Sequence, residues 1–214
     1  MTAARVVFVH GLWMTGAELR WLRRRLESRF DFDTEIFTYR TVSEPLDSVL
    51  ARLATTVSRG GTSQTVHVIG HSLGGVVACR LFERHPELPP GRVLCLGSPL
   101  AGSQAARRFE RFKFGHRMIG ALVIAELLGN AECRWTMARE LGVIAGTRPV
   151  GLGRLVAGFS EPNDGTVALR ETRIEGATDH LALPVSHFGM LLSNRVADEC
   201  GRFLRDGRFS LRAA

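Results

Sequence analysis

The chain has 214 residues, 45% of them hydrophobic, with 23 Gly and 8 Pro, which is enough apolar material for one globular domain with a sizeable core. Its net charge of +7 comes almost wholly from arginine, Lys113 being the only lysine. The basic residues are scattered along helical stretches without interleaved aromatics, so they do not read as a nucleic-acid surface. No stretch approaches the roughly 20 apolar residues that span a bilayer.

Val6–Val9 is a β-branched and aromatic run ending at His10-Gly11, and it reads as a buried strand. Ala17–Arg29 spaces Leu19, Leu22 and Leu26 at helical intervals, with arginines on the other face. Thr34–Tyr39 reads as a second strand and Leu46–Ser58 as a helix closed by Gly60-Gly61. Thr65–Ile69 is a third strand, leading into Gly70-His71-Ser72-Leu73-Gly74 and a helix over Val76–Arg84. Arg92–Leu96 is a fourth strand, ending at Gly97-Ser98-Pro99.

Leu100–Trp135 breaks this rhythm. It is basic at first (Arg107, Arg108, Arg111, Lys113, Arg117) and apolar later (Met118–Leu128), and it reads as a helical insertion of residues 100–135, a candidate lid. Strands return at Gly142–Thr147 and His180–Val185, and Val196–Arg205 closes the chain as a helix. Strands alternating with helices imply βαβ units and a mostly parallel sheet covered on both faces. Right-handed crossovers then bring every strand's carboxyl end to one rim, where ligands bind in such sheets. With no internal repeat and no linker, residues 1–214 read as a single domain.

Four cysteines (Cys79, Cys95, Cys133, Cys200) form no CxxC pair, so neither a metal nor a redox site is expected, and reduced core thiols are. The start, MTAARVVFVHGL, carries too short an apolar run for a secretory signal, so a cytoplasmic location is expected.

Gly70–Gly74 matches G-x-S-x-G between a strand and a helix. In this arrangement the serine sits on a strained turn with its hydroxyl projecting from the rim, and glycines at ±2 avoid collision with neighbouring backbone. The helix behind it aims amide N–H groups and a positive dipole end at the reacting centre. Ser72 is therefore a candidate nucleophile, and elbow geometry makes the Leu73 amide an oxyanion donor. A serine hydroxyl needs a base within hydrogen-bond reach. Of seven histidines, His187 is the best placed, because it follows the last strand and precedes Gly189 and the final helix.

These motifs, with VVFVHGL at the first strand, LGSPLAGS after the fourth, NDGTV and SHFGM, occur in the order of the α/β-hydrolase superfamily. The chain resembles its small bacterial lipase/esterase-type serine hydrolases. The resemblance implies an α/β-hydrolase fold and a Ser…Asp…His order that picks out Asp164 in PNDGTV as the acid. NDG before a β-branched run would also suit a structural turn. Asp179, eight residues before His187, is the rival acid, but its strand carries it to the opposite end of the sheet. The HG-x pattern implies Leu12 as the second oxyanion amide. Trp13, Met14 and the apolar half of the insertion are candidates to line an acyl pocket, and Met118–Leu128 suits a core helix equally well.

The expected chemistry is hydrolysis of a small-molecule ester or lipid through an acyl-enzyme on Ser72, without metal or organic cofactor. If the insertion is a lid, its basic flank implies transient contact with an anionic lipid interface. A thioesterase or an acyltransferase would show the same residues. A non-catalytic binding protein on this fold is the remaining alternative.

Overall fold

A computed structural model describes residues 3–59, 61, 64–104, 134–150 and 160–210. Most of the expected insertion, with Met118–Leu128, the basic cluster and Cys133, lies outside the described residues. So does the stretch 151–159.

Six strands form one parallel sheet: β1 (Arg5–Val9), β2 (Asp33–Phe37), β3 (Val66–His71), β4 (Val93–Leu96), β5 (Leu141–Gly146) and β6 (Asp179–Leu183). Their order across the sheet is β2-β1-β3-β4-β5-β6. The chain first moves outward from β1 to β2, then returns to the other side of β1 and proceeds through β3 to β6. The reversal falls between β1 and β3, and their carboxyl ends, His10-Gly11 and His71-Ser72, flank the resulting crevice.

The strands are buried on both faces because period-two alternation sends apolar side chains both ways. Val7, Val9, Val66 and Val68 pack under α2 (Leu46–Ser58) and α3 (Leu73–Arg84). Val6, Phe8, Ile69, Leu94 and Ile144 pack under α1 (Arg20–Phe30) and α4 (Asn194–Asp206). No helix among the described residues is long and apolar enough to cross a membrane.

Most element boundaries expected from the sequence fall within a few residues of those observed. The differences have local causes. Residues 17–19 form a 3-10 turn ahead of α1. α3 begins at Leu73, directly after Ser72, rather than at Val76. Gly74 and Gly75 look like helix breakers, yet the helix needs them. A Cβ on Gly75 would lie 2.1 Å from Ser98 Oγ, and one on Gly74 would meet the backbone of β1. Cys79, Cys95 and Cys200 are buried free thiols, and the sulfurs of Cys79 and Cys95 lie 3.9 Å apart between α3 and β4.

α4 is held at both ends. The Ser193 hydroxyl accepts the Val196 amide N–H, and Gly207, at φ 74°, ends the helix. At its centre α4 approaches α1 so closely that a Cβ on Gly201 would lie 2.4 Å from the Phe30 ring. Arg205 continues this contact, donating to the Phe30 carbonyl at 2.6 Å with its guanidinium 5.0 Å from the ring centroid. Gly201→Val is therefore expected to destabilise the fold by about 1–3 kcal/mol through overpacking while leaving the distant rim unaltered. Urea denaturation of the variant beside the wild type checks this.

Candidate active site

Ser72 follows β3 and caps α3, with φ 54° and ψ −123°, a conformation costly for any residue other than glycine. Close packing holds it there. The Ser72 amide donates to the Leu96 carbonyl at 2.9 Å. A Cβ on Gly70 would lie 2.4 Å from Gly75 N, and one on Gly74 would lie 2.1 Å from Val9 O. The two motif glycines thus let strand, turn and helix come closer than side chains permit.

Asp164 and His187 form a buried pair. His187 Nδ1 lies 2.7 Å from Asp164 Oδ2, and the side chains are 4% and 1% exposed. A carboxylate can only accept, so Nδ1 carries the proton and Nε2 offers a lone pair. The other carboxylate oxygen, Oδ1, accepts the amides of Thr166 (2.9 Å) and Val167 (2.7 Å), which fixes the acid. The His187 amide also donates to the Asp164 carbonyl at 2.9 Å. Asp179, by contrast, begins β6 at the amino end of the sheet, where its carboxylate accepts the Phe209 and His180 amides.

The Leu73 amide is the first of α3 and precedes any carbonyl that its own helix could offer. Leu12 follows Gly11, which stands against the elbow: a Cβ on Gly11 would lie 3.0 Å from Ser72 Cβ. The Gly11 amide is occupied, donating to Met14 Sδ at 3.3 Å. Met14 is buried, whereas Trp13 is 56% exposed at φ 58° and its amide donates to Thr41 Oγ1. Along the carboxyl rim, Gly11 lies against Ser72, and His71, the residue before Ser72, meets the main chain of His187, whose ring is bonded to Asp164.

The sequence model of the alpha/beta hydrolase family matches residues 6–199. The chain belongs to that family.

Solved α/β-hydrolase structures share its fold. A Bacillus licheniformis lipase in its mature form is 18% identical, with 89% of this chain and 87% of that chain covered at a TM-score of 0.71. A metagenomic carboxyl esterase is also 18% identical, with 87% of this chain and 65% of that chain covered at a TM-score of 0.64. A thioesterase from the prodiginine biosynthetic pathway in Streptomyces coelicolor is 15% identical, with 94% and 88% covered at a TM-score of 0.59. No curated protein matches the sequence.

Two further rim residues carry no clear signal in the sequence. Gly97, in the LGSPLAGS segment, has φ 54°, and a Cβ there would lie 3.0 Å from Asp164 Oδ2 and 3.1 Å from His187 Nδ1. It is the floor beneath the acid–histidine bond. Its place directly after a strand and before Ser-Pro was the available signal. Tyr39, the chain's one tyrosine, stacks on His10 with ring centroids 4.6 Å apart and donates from its hydroxyl to the His10 carbonyl at 2.9 Å. Its own amide donates to His10 Nε2, so the HG turn is pinned from β2's side. A lone tyrosine beyond a strand end carries no such message in the sequence.

Two expectations follow from this geometry. Gly97→Ala combines a left-handed φ with intrusion on the buried pair, and is expected to cost about 1–3 kcal/mol. It should also displace the low-field NMR signal of the His187 Nδ1 proton. The buried histidines set the acid response. Burial, reinforced by the Arg92 and Arg139 charges, lowers His67 to about 4, and burial, with His187 adding to it, lowers His71 to about 3. Burial also lowers His10 and His180. Below about pH 6.5 the unfolded chain takes up protons that the folded chain refuses, so stability present above that pH is lost as pH falls toward 3–4. Urea midpoints at pH 7.5 and pH 4.5 check the sign.

Proposed function

We propose that the protein is a serine hydrolase that cleaves carboxylic esters of small molecules or lipids through an acyl-enzyme on Ser72. The observation that carries this reading is the buried 2.7 Å bond between Asp164 and His187, on the same rim as a serine on strained backbone at a helix N-terminus. Asp164 holds the imidazole in the tautomer whose Nε2 is free to accept a proton. His187 removes the Ser72 hydroxyl proton as Oγ attacks the ester carbonyl. The resulting oxyanion is met by the Leu12 and Leu73 amides and by the positive end of α3. Collapse breaks the bond to the alcohol oxygen, which takes its proton from His187. A water then attacks the acyl-enzyme with His187 again as base, releasing the acid and restoring Ser72.

Apolar surface supports an apolar substrate. Trp13, Phe188 and Leu192 are large hydrophobic residues more than half exposed, the first two adjacent in sequence to Leu12 and His187. Acyl chains or alkyl alcohols are the groups that such side chains would contact.

The test has two parts. A fluorophosphonate is expected to label the protein covalently, and Ser72→Ala to abolish labelling. Both Ser72→Ala and Asp164→Asn should lose on the order of 10⁴-fold or more in kcat/KM. A chain-length panel of p-nitrophenyl esters, an acyl thioester and competing acceptor alcohols then defines the substrate. Faster turnover of the thioester would make it a thioesterase, and preference for alcohol over water an acyltransferase. Absence of both labelling and turnover would overturn the reading in favour of a binding protein.

A further inference from the structure

We propose that His71 is a positioning residue that clamps the main chain of His187, donating its Nε2–H to the His187 carbonyl oxygen. The proposal rests on the acyl-transfer reading above. The bond is 3.1 Å long and the His71 side chain is fully buried. Because a carbonyl oxygen only accepts, the proton must sit on Nε2, leaving Nδ1 as a bare lone pair. That atom is buried and, among the described residues, has no hydrogen-bond partner. An orphaned buried acceptor costs free energy that an apolar side chain of similar size would avoid. The residue is therefore unfavourable for packing alone, and the one side-chain hydrogen bond it makes among the described residues falls on His187.

Its position on the strand explains how it reaches there. Alternation along β3 puts His71 on the same face as Ile69, the face covered by α1 and α4. The connection from β6 to α4, which carries His187, runs across the carboxyl end of that face. The His71 and His187 rings lie 4.7 Å apart, tilted by 46°, and the Phe188 ring stands 6.2 Å from the first and 5.7 Å from the second.

His187 is thus held at three atoms. Its amide N–H and Nδ1–H go to Asp164, and its carbonyl oxygen goes to His71. The first two contacts locate the base relative to the acid. Only the third locates it relative to Ser72, because His71 precedes Ser72 in the chain and both are fixed to β4: His71 pairs with Leu96, and the Ser72 amide donates to the Leu96 carbonyl. The clamp therefore sets the distance across which the proton moves. Burial also keeps the His71 ring neutral. When His187 becomes imidazolium it faces a neutral ring, and no like charge opposes it.

The test compares His71→Gln with His71→Met. Both side chains have similar length, and the Gln amide nitrogen reaches the place of Nε2 whereas Met offers no donor. Rates of fluorophosphonate labelling are read together with kcat and KM on one p-nitrophenyl ester. Met is expected to slow labelling and lower kcat by about 10–100-fold, the scale of a misplaced reacting group, with KM nearly unchanged. Gln should stay within about threefold of wild type on the same scale. If Met fails to fold, His71→Asn replaces it, since its shorter amide reaches only the place of Nδ1 and should fall as Met does. Met or Asn labelling at the wild-type rate, or Gln falling as far as they do, overturns the clamp alone. A wild type that takes no label overturns the acyl-transfer reading and the clamp with it. Independently of activity, long-range ¹H–¹⁵N spectra must show His71 as the Nε2–H tautomer at neutral pH, and the Nδ1–H tautomer overturns the proposal.

Discussion

A Cβ on Gly74 would lie 2.1 Å from the Val9 carbonyl oxygen and 2.6 Å from that of His10, so α3 can begin where it does only if its second residue carries no side chain. Everything at the rim follows from that approach. The helix presses against the end of β1, which brings the HG turn to the elbow. Its start one residue after β3 goes with a positive φ at Ser72 and leaves the Leu73 amide, the first of the helix, with no carbonyl of its own helix to meet. The strain at Ser72 is sustained because backbone on three sides, from β1, β4 and the helix itself, leaves the turn no alternative path.

A second system, polar and buried, is built on this apolar frame. Asp164 is fixed by two amides of its own loop, and its carboxylate and carbonyl then hold His187 by the ring and by the main chain. Gly97 supplies the space beneath their bond and His71 a contact from the serine's side. The pair is satisfied almost without solvent, so its geometry is set by covalent neighbours and short loops. In the proposed reaction such an arrangement is organised before a substrate arrives, the condition under which electrostatic stabilisation of a transition state costs no reorganisation.

Much of this could be read from the sequence because apolar alternation and glycine placement are local signals. The strands were recognisable from runs such as VVFV and RVLCL, and the elbow from glycines at fixed offsets around a serine. Asp164 and His187 needed chain order and the rim argument, since 23 residues separate two side chains that touch. The start of α3 is not legible because Gly74 and Gly75 look unfavourable for a helix when considered one at a time. Their reason lies in Val9, His10 and Ser98, far away in sequence. The contact of His71 is hidden for the same kind of reason. Its partner is 116 positions away and is a backbone atom, which no residue pattern encodes.

Fastening and the proposed chemistry occupy opposite ends of the sheet. Arg92 pairs with Glu140 and donates to the Leu204 carbonyl, Arg139 ties the carbonyls of Leu88, Pro89 and Gly91, and Asp179 secures Phe209. All of these lie at or before the amino ends of β4, β5 and β6. The long connections of the second half leave instead from the carboxyl ends of β4 and β5. Segments inserted there can lengthen, shorten or change composition without loosening the bonds that register the strands. The fold thereby separates heritable variation in what is bound from the constraints on staying folded, and divergence of substrate range requires no new scaffold.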